Sequence, residues 1–433
     1  MIKIYNNFYC PIYEYIYLFV MVIYMAQMTP ETGRMVGTLS GDPVPFLIPI
    51  AMTIILLMRN PISFNNKKLW ALTGIMGTWS IAICYKVNDF SSSNLSFYFF
   101  LFYAIFIAFI HIRVYGRDLF LIYEHIMVVM SAISLAFWGI SVLFPDIDVF
   151  FHLFPETRYG NNVLYLFNWM DPAKGQIYGS LIRNAGCSWE PGRFAIMLIP
   201  AILINVSHEG IKFWKNKKMI VLLAALASTI STTGYSIAIF IYSIYWLEKI
   251  NVKKVLSFIL ILLPLSIYLF SLDFMTEKIQ NGVNYEEHSK DAYEYYENNY
   301  GDEYMGSLDR FESAELDWIN FQQDLLLGYG RNRDYSWFRQ EVSLNFELTG
   351  GLVKIMSQYG IFIGVFLYYL LLISSFKISR TFVYQRSLVF ALVLMLCSVS
   401  YNIFSIPVFT AFWLYGIFCN KESQTYRHIL INR

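Results

Sequence analysis

The sequence is poor in charge. Only 15% of its 433 residues are Asp, Glu, Lys or Arg, where a soluble domain usually carries about 25%. The net charge is +1, so no global electrostatic case exists for a nucleic-acid partner or an acidic one. Cysteine is scarce. Cys10, Cys84, Cys187, Cys397 and Cys419 stand singly, without metal or redox spacing. The six histidines are equally scattered, and no zinc site is legible. No P-loop, dinucleotide fingerprint or metal-ligand pattern occurs. Neither a metal nor a cofactor is expected.

What is abundant is apolar surface. Hydrophobic residues make up 57% of the chain. They fall in runs near 8–26, 44–59, 69–87, 95–115, 119–144, 191–207, 219–231, 235–248, 255–271, 358–376, 387–403 and 405–420. About 20 apolar residues span a bilayer core. The fold class expected is therefore all-α: a polytopic integral membrane protein with about 12 transmembrane helices. The first run follows Lys3 and reads as a membrane helix. The alternative is a cleaved signal peptide, but Gln27-Met28-Thr29-Pro30 makes a poor small-residue cleavage site.

Basic residues orient the spans. Arg59, Lys67 and Lys68, then Arg113 and Arg117, then Lys212, Lys215, Lys217 and Lys218 mark inner loops. Lys249, Lys253 and Lys254 mark another, as do Lys377, Arg380 and Arg386, and Lys421 and Arg427 put the C-terminus inside. Residues 219–248 would be about 45 Å long as one helix, with lysines at both ends. A helical hairpin turning at Ser231-Thr232-Thr233-Gly234-Tyr235 satisfies both facts. Both termini are then cytoplasmic, and two long segments lie outside. The organisation is 1–144, N-terminal helices; 145–192, a first large outer loop; 193–271, central helices; 272–349, a second large outer loop; and 350–433, C-terminal helices and tail. Both loops are rich in aromatics and read as folded. The second is acidic over 273–309.

Three features carry candidate chemistry. The first is Arg183-Asn184-Ala185-Gly186-Cys187-Ser188-Trp189-Glu190-Pro191-Gly192-Arg193-Phe194-Ala195. Pro191 suits the first turn of a helix, which makes Glu190 the cap of its outer end. A helix N-terminus with Arg183 and Arg193 nearby fits a diphosphate. The alternative is that Arg193 snorkels to headgroups and pairs with Glu190. The second feature is an amphipathic helix after Ser307, with Leu308, Phe311, Ala314, Trp318 and Phe321 at helical spacing. Arg310 and Asp317 fall on one side of it. Gly328-Tyr329-Gly330 ends it, and Arg331 and Arg333 follow. A glycine turn before arginines can offer backbone N–H groups to an anion. A solvated charged face is the alternative. The third, Thr349 to Gly364, reads as a short helix, a glycine break and a span, with Gly360 and Gly364 there for close packing.

Taken in this order, the three features make the chain resemble the bacterial O-antigen polymerase and O-antigen ligase group, including Wzy-type polymerases, over roughly residues 180–365. The group has an Arg…Pro-x-x-x-Ala segment opening a span, here Arg183 to Ala195. A hairpin with a Ser/Thr-rich turn follows, here 229–235 with Tyr235 at its end. An outer-loop helix then leads to Gly-x-Gly, here Arg310, Trp318, Gly328 and Gly330. A short helix before Gly-x-x-x-Gly closes the pattern, here 350–364. Ligases carry an arginine in the hairpin turn and a histidine about eleven residues before the last motif. Thr233 and Thr349 stand there instead, which favours a polymerase. Arg339 and Gly350 fit the Arg-x10-Gly spacing described for polymerases.

The resemblance implies a glycosyltransferase at the outer face of the bacterial inner membrane. Its substrate would be an oligosaccharide on undecaprenyl diphosphate, and a flippase and a chain-length regulator of the same pathway would be partners. A sugar hydroxyl of one lipid-linked unit would displace undecaprenyl diphosphate from another. Arg183, Arg193 and Arg310 would stabilise the departing diphosphate. Glu190, with Asp317 behind it, would orient or deprotonate the hydroxyl. Tyr235, Arg331, Arg333 and Arg339 would bind substrate, and the tyrosines at 293, 295, 296, 300 and 304 could stack on sugars. A ligase and a flippase are the competing functions. A flippase needs polar residues within its spans, and here the spans are apolar and the long loops polar.

Overall fold

Helix occupies every apolar run except 255–271, which lies outside the described residues. The computed structural model describes residues 1–5, 8–28, 44–157, 159–172, 177–178, 181–211, 215–246, 310–337, 340, 351–382 and 386–419. A strand pair, β1 (Ile2–Tyr5) and β2 (Phe8–Cys10), precedes α1 (Ile12–Gln27). Then come α2 (Val44–Arg59), α3 (Lys67–Lys86), α4 (Ser92–Tyr115) and α5 (Asp118–Leu143). Caps set several of these starts: Asn66 Oδ1 accepts from the N–H groups of Lys68 and Leu69, and Ser91 Oγ from that of Asn94.

The 145–192 segment is folded. It holds a 3-10 turn at Pro145–Ile147, the short α6 (Asp148–Phe151), and two antiparallel strand pairs. These are β3 (Gly160–Val163) with β4 (Phe167–Met170), and β5 (Ile177–Tyr178) with β6 (Leu181–Ile182). Gly160 pairs with Met170 and Val163 with Phe167. Aromatic stacking holds the unit together and ties it to α5. Phe151 stacks on Trp169 at 5.3 Å, and Phe137 of α5 stacks on Phe167 at 5.4 Å.

The remaining helices are α7 (Pro191–Glu209), α8 (Lys217–Ser228), α9 (Thr232–Trp246), α10 (Arg310–Gln323), α11 (Leu352–Ser379), α12 (Val389–Ser400) and α13 (Pro407–Phe418). Burial separates them into two kinds. α7 is buried on every face from Pro191 to Ser207, and α13 nearly so. Phe120 of α5 packs against Phe382, Phe390, Phe412 and Tyr415. By contrast, α11 exposes Phe362, Val365, Tyr369 and Phe376 at helical spacing, and α2 exposes Leu47, Ile54, Ile55 and Met58. Apolar residues exposed in continuous stripes mark a lipid-facing surface.

Among the described residues, four helices are long and apolar enough to cross a membrane: α4, α5, α7 and α11. The others fall short of the dozen spans expected, because their apolar runs are divided between helix and link. The 12 residues of α12 reach only about 18 Å of a roughly 30 Å core. Its run, expected over 387–403, stops being helical at Ser400, and residues 401–406 are a link.

The 219–248 run does form two helices, but they turn two residues earlier than expected. Thr229 and Ile230 make the bend, with Ile230 at φ 47°. Ser231 Oγ accepts from Gly234 N–H, so Thr232 to Tyr235 are already the first turn of α9.

The break in the third feature falls at Gly360. Its φ of 69° and ψ of 175° interrupt α11, leaving a short helix over 352–359 and a long one after it. A side chain there would meet Leu326 O at 2.2 Å, so only glycine fits.

Candidate functional site

The first feature opens α7 as its sequence suggests, with Pro191 at the first helical position. Glu190 occupies the N-cap position in extended conformation, but its carboxylate makes no capping hydrogen bond. The expected cap is therefore positional only. Pro191 supplies no N–H, and a Glu side chain is a poorer match than Ser, Thr or Asp for the N–H groups behind it. Arg193 does not snorkel. Its side chain is buried, with 2% of the residue exposed, and Nη2 donates to Met25 O at 2.9 Å. The guanidinium lies 5.8 Å from the Trp189 ring and 6.0 Å from the Tyr401 ring, within the range of cation–π attraction.

Arg183 points elsewhere. Its Nε donates to Thr229 O and its Nη2 to Ile230 O, each at 3.2 Å. These are the open carbonyls at the end of α8. Asn184 backs it up, with Nδ2 donating to Ser228 Oγ at 2.8 Å and N–H donating to Ser228 O at 2.9 Å. Tyr235 donates its hydroxyl to Ala227 O at the same turn. Arg183 and Tyr235 thus close the helical hairpin.

The second feature is a helix, but with its polar side inward. Ser313, Asp317 and Asn320 are buried, together with Phe321, while Trp318 is 49% exposed. Of the apolar positions at helical spacing, Trp318 turns outward and Phe321 inward, and the Asp317 carboxylate goes in. Asp317 Oδ1 accepts from Ser357 Oγ at 3.1 Å. Arg310 is the first residue of α10. Ser307, Leu308 and Arg339 lie outside the described residues, as do the acidic stretch and the tyrosines at 293–304.

The glycine turn after α10 does not offer its N–H groups to an anion. Tyr329 N–H donates to Ser357 O and Gly330 N–H to Gln358 O, each at 3.0 Å, while Ile361 N–H donates back to Leu325 O. The reason is the break at Gly360. It leaves carbonyls at the end of the 352–359 helix without helical partners, and the turn supplies them. Gly328 has φ 72°, and a side chain there would meet Gln358 O at 2.5 Å. Arg331 is buried against Phe100, with its guanidinium 5.8 Å from the ring. Arg333 is half-buried in a 3-10 turn, Arg333–Tyr335. Lys86 pairs with Asp324 and donates to Gly328 O at 3.1 Å, tying this turn to the end of α3.

The 401–406 link joins the first feature to the other two. Tyr401 faces Arg193. Asn402 Nδ2 donates to Gln358 Oε1 at 3.0 Å, and the neighbouring Ser357 holds Asp317. A buried polar layer therefore runs from Arg193 through Tyr401, Asn402 and Gln358 to Asp317. Around it, several buried oxygens have no hydrogen-bond partner among the described residues: Gln27 Oε1, Asn168 Oδ1, Asn402 Oδ1 and Ser405 Oγ. Trp189 Nε1 is in the same state. Gln27 and Asn168 both border the 187–189 segment, through Cys187 O and Trp189 O. Buried polar groups left open in this way suit a polar ligand.

Gln27, Tyr401, Asn402 and Gln358 were not legible as site residues. The signal for Tyr401 and Asn402 is the polar stretch Ser398 to Ser405, which sits inside an otherwise apolar run. No family model matches the chain, and no curated protein matches its sequence.

Proposed function

We propose that the protein is a polymerase of lipid-linked oligosaccharide repeat units, acting at the outer face of a bacterial inner membrane through about 12 spans with both termini inside. The observation that carries this reading is the polar layer at the start of α7. There a buried arginine, two aromatic rings and a set of open amide and hydroxyl groups meet in an otherwise apolar bundle. Such a place suits the most polar part of an amphipathic substrate, the diphosphate between lipid and sugar.

In this reading a sugar hydroxyl of one unit attacks the anomeric carbon of another. The bond from that carbon to the diphosphate oxygen breaks, and undecaprenyl diphosphate departs. Arg193 and the positive end of α7 receive the charge that develops on the leaving oxygen. Arg310, at the start of α10, is the second candidate for that charge. The hydroxyl proton passes to Glu190, or to Asp317 on the far side of the layer. Arg183 acts through the hairpin it closes, which holds α9 against α7. The exposed apolar stripes of α2 and α11, and Trp318 of α10, face lipid.

Deletion of the gene followed by electrophoresis of surface polysaccharide tests the reading. Loss of long chains with a single repeat unit still attached is the expected result, and Glu190→Gln should reproduce it. Unchanged chain lengths in the deletion strain would overturn it. Complete loss of attached glycan would overturn it in favour of a ligase or a flippase.

A further inference from the structure

The turn between α8 and α9 is strained. Ile230 sits at φ 47°, in the left-handed region that a β-branched residue avoids. Its flanks are ordinary. Thr229 is right-handed at φ −71° and ψ −20°, and Ser231 caps α9 through its Oγ. Glycine would adopt such a turn without steric cost. With isoleucine the turn holds only where its surroundings impose it.

What imposes it is the segment leading to α7. Thr229 O and Ile230 O, the two peptide oxygens that flank Ile230, both turn toward the guanidinium of Arg183 and accept from its Nε and Nη2. A planar fork of donors fixes the two directions together, which a single ammonium does not. Asn184, the next residue, grips the end of α8. Its N–H donates to Ser228 O, and its Nδ2 donates to Ser228 Oγ and to Ser134 Oγ of α5. The turn is therefore held by residues 183 and 184 and not by its own sequence.

Both partners in this grip also touch the first turn of α7. Gly186, at φ 54°, lies so close to the Phe194 ring that a Cβ there would come within 2.4 Å of it. A Cβ on Gly234, in the first turn of α9, would come within 2.9 Å of the Ala195 Cβ. Phe194 and Ala195 are the two residues that follow Arg193 in the chain. The 183–186 segment and the hairpin thus seat the part of α7 that carries Arg193.

We propose that Arg183 and Ile230 form a conditional latch and are positioning residues for the site at α7. A glycine at 230 would let the hairpin close by itself. Isoleucine makes closure depend on Arg183, so the hairpin takes its shape only when the segment leading to α7 is docked. Docking then places Gly234 on Ala195 beside Arg193. Arg183 serves the site through the turn it holds. That Arg193 meets a diphosphate rests on the polymerase reading, whereas the latch does not.

The test is a double-mutant cycle on the full-length protein. Arg183→Ala, Ile230→Gly and the double variant are compared by thermal unfolding in detergent and by the length of surface polysaccharide in cells. Arg183→Ala should lower the unfolding temperature and cut long-chain polymer about tenfold, the weight of one left-handed β-branched residue on the closed state. In the Ile230→Gly background the same substitution should cost clearly fewer degrees. Long chains in the double variant should recover to within about threefold of the wild type, because the turn no longer needs imposing. Ile230→Asn, which also tolerates positive φ, should act in the same direction. Equal losses of unfolding temperature in the two backgrounds would overturn the latch. Polymer as low in the double variant as in Arg183→Ala would overturn it too, and Arg183 would then act on the substrate directly. If Arg183→Ala fails to accumulate in the membrane, its abundance becomes the measure: Ile230→Gly should restore it, and no restoration overturns the latch. If the deletion strain keeps its long chains, the polymerase reading fails, and the unfolding cycle still decides the latch. If long chains vanish in the deletion strain but the two substitutions act additively, the latch alone fails.

Discussion

Among the described residues a buried polar cluster sits at each end of α7, and the two are built on opposite plans. At the C-terminal end Glu124, Asn205, Asn216 and Lys218 satisfy one another, although His208 Nδ1 beside them, 3.1 Å from Glu209, makes no hydrogen bond among the described residues. Glu124 is fully buried; its Oε2 accepts from Tyr5 and its Oε1 from Asn205 Nδ2 at 2.7 Å. Asn205 Oδ1 accepts in turn from Asn216, and Asn216 Oδ1 from Met219 N–H. Lys218 lies over the Tyr5 ring at 3.4 Å, 3.8 Å from Glu124, and donates to Ile4 O. At the N-terminal end, by contrast, Gln27, Asn168, Asn402 and Ser405 each keep an oxygen without a partner among the described residues. A closed network locks elements together. An open one carries a desolvation cost that a ligand can relieve. The first cluster therefore reads as structural, fastening the N-terminal strands to the bundle, and the second as functional.

The largest effect that tests this contrast is on the closed cluster. Glu124→Ala removes the acceptor shared by Tyr5, Asn205 and Lys218. Breaking a buried charged pair from one side costs about 3–5 kcal/mol. Thermal unfolding of the detergent-solubilised protein should show that loss, while polymer length per folded molecule stays the same. A stable Glu124→Ala protein with shortened chains would reverse the assignment of the two clusters.

Arg193→Lys probes the other end. Lysine keeps the charge but loses the planar fork whose Nη2 donates to Met25 O. Long-chain polymer should fall about 100-fold, the usual cost of removing one donor from a charge-stabilising site. Protein abundance in the membrane, followed by immunoblot, should change little.

Asn402→Ala sharpens the comparison with a smaller effect. It deletes one open oxygen and one hydrogen bond to Gln358, so stability should shift by no more than about 1 kcal/mol. Polymer yield should nevertheless drop several-fold. Equal losses of stability and yield would mean that Asn402 only packs the link.

The sequence made the two ends unequally legible. Apolar periodicity located the helices, because a helix in lipid must satisfy its own backbone wherever a long apolar run occurs. A glycine break after the short helix was legible, but Gly360 reads from sequence as a packing residue; the positive φ and the Leu326 carbonyl that demand glycine there come from the fold. Periodicity could not say which side of α10 faces inward. Trp318 turns out, whereas Phe321 and Asp317 turn in. Nor could spacing reveal that Arg183 would be taken by the carbonyls of Thr229 and Ile230. Their exposure follows from the turn falling two residues early. Tyr401 and Asn402 were hidden because the six-residue link 401–406 also carries Ile403, Phe404 and Ile406, so it does not lower the hydropathy of the run around it enough to show.

The smallest expected effect belongs to a contact of a third kind, half-buried and charged, which anchors the segment after α10 to the loop between α3 and α4. Tyr335 donates its hydroxyl to Asp89 Oδ2, and Ser91 N–H donates to Oδ1 at 2.7 Å. These bonds, the tyrosine's first, hold the Asp89 carboxyl below its ordinary value. The same bond pushes the Tyr335 hydroxyl up to about 12. A lowered carboxyl stabilises the fold above its unfolded pKa, near 3.9, and that contribution is lost as pH falls through the folded value. A raised hydroxyl stabilises below its unfolded pKa, near 10, and that contribution is lost as pH rises toward about 12. The contact should therefore act fully between roughly pH 4 and pH 10. Tyr335→Phe should lower the unfolding temperature slightly at pH 7, and the difference from wild type should shrink as the pH falls below about 3.9, the unfolded carboxyl value. No difference at pH 7 would show that Tyr335 holds the segment by packing alone, because phenylalanine keeps the ring and loses only the hydroxyl bond to Asp89. The position of Asp317 beneath Ser357 would then depend less on this outer clasp than on the bonds from Tyr329 and Gly330 to the end of the 352–359 helix.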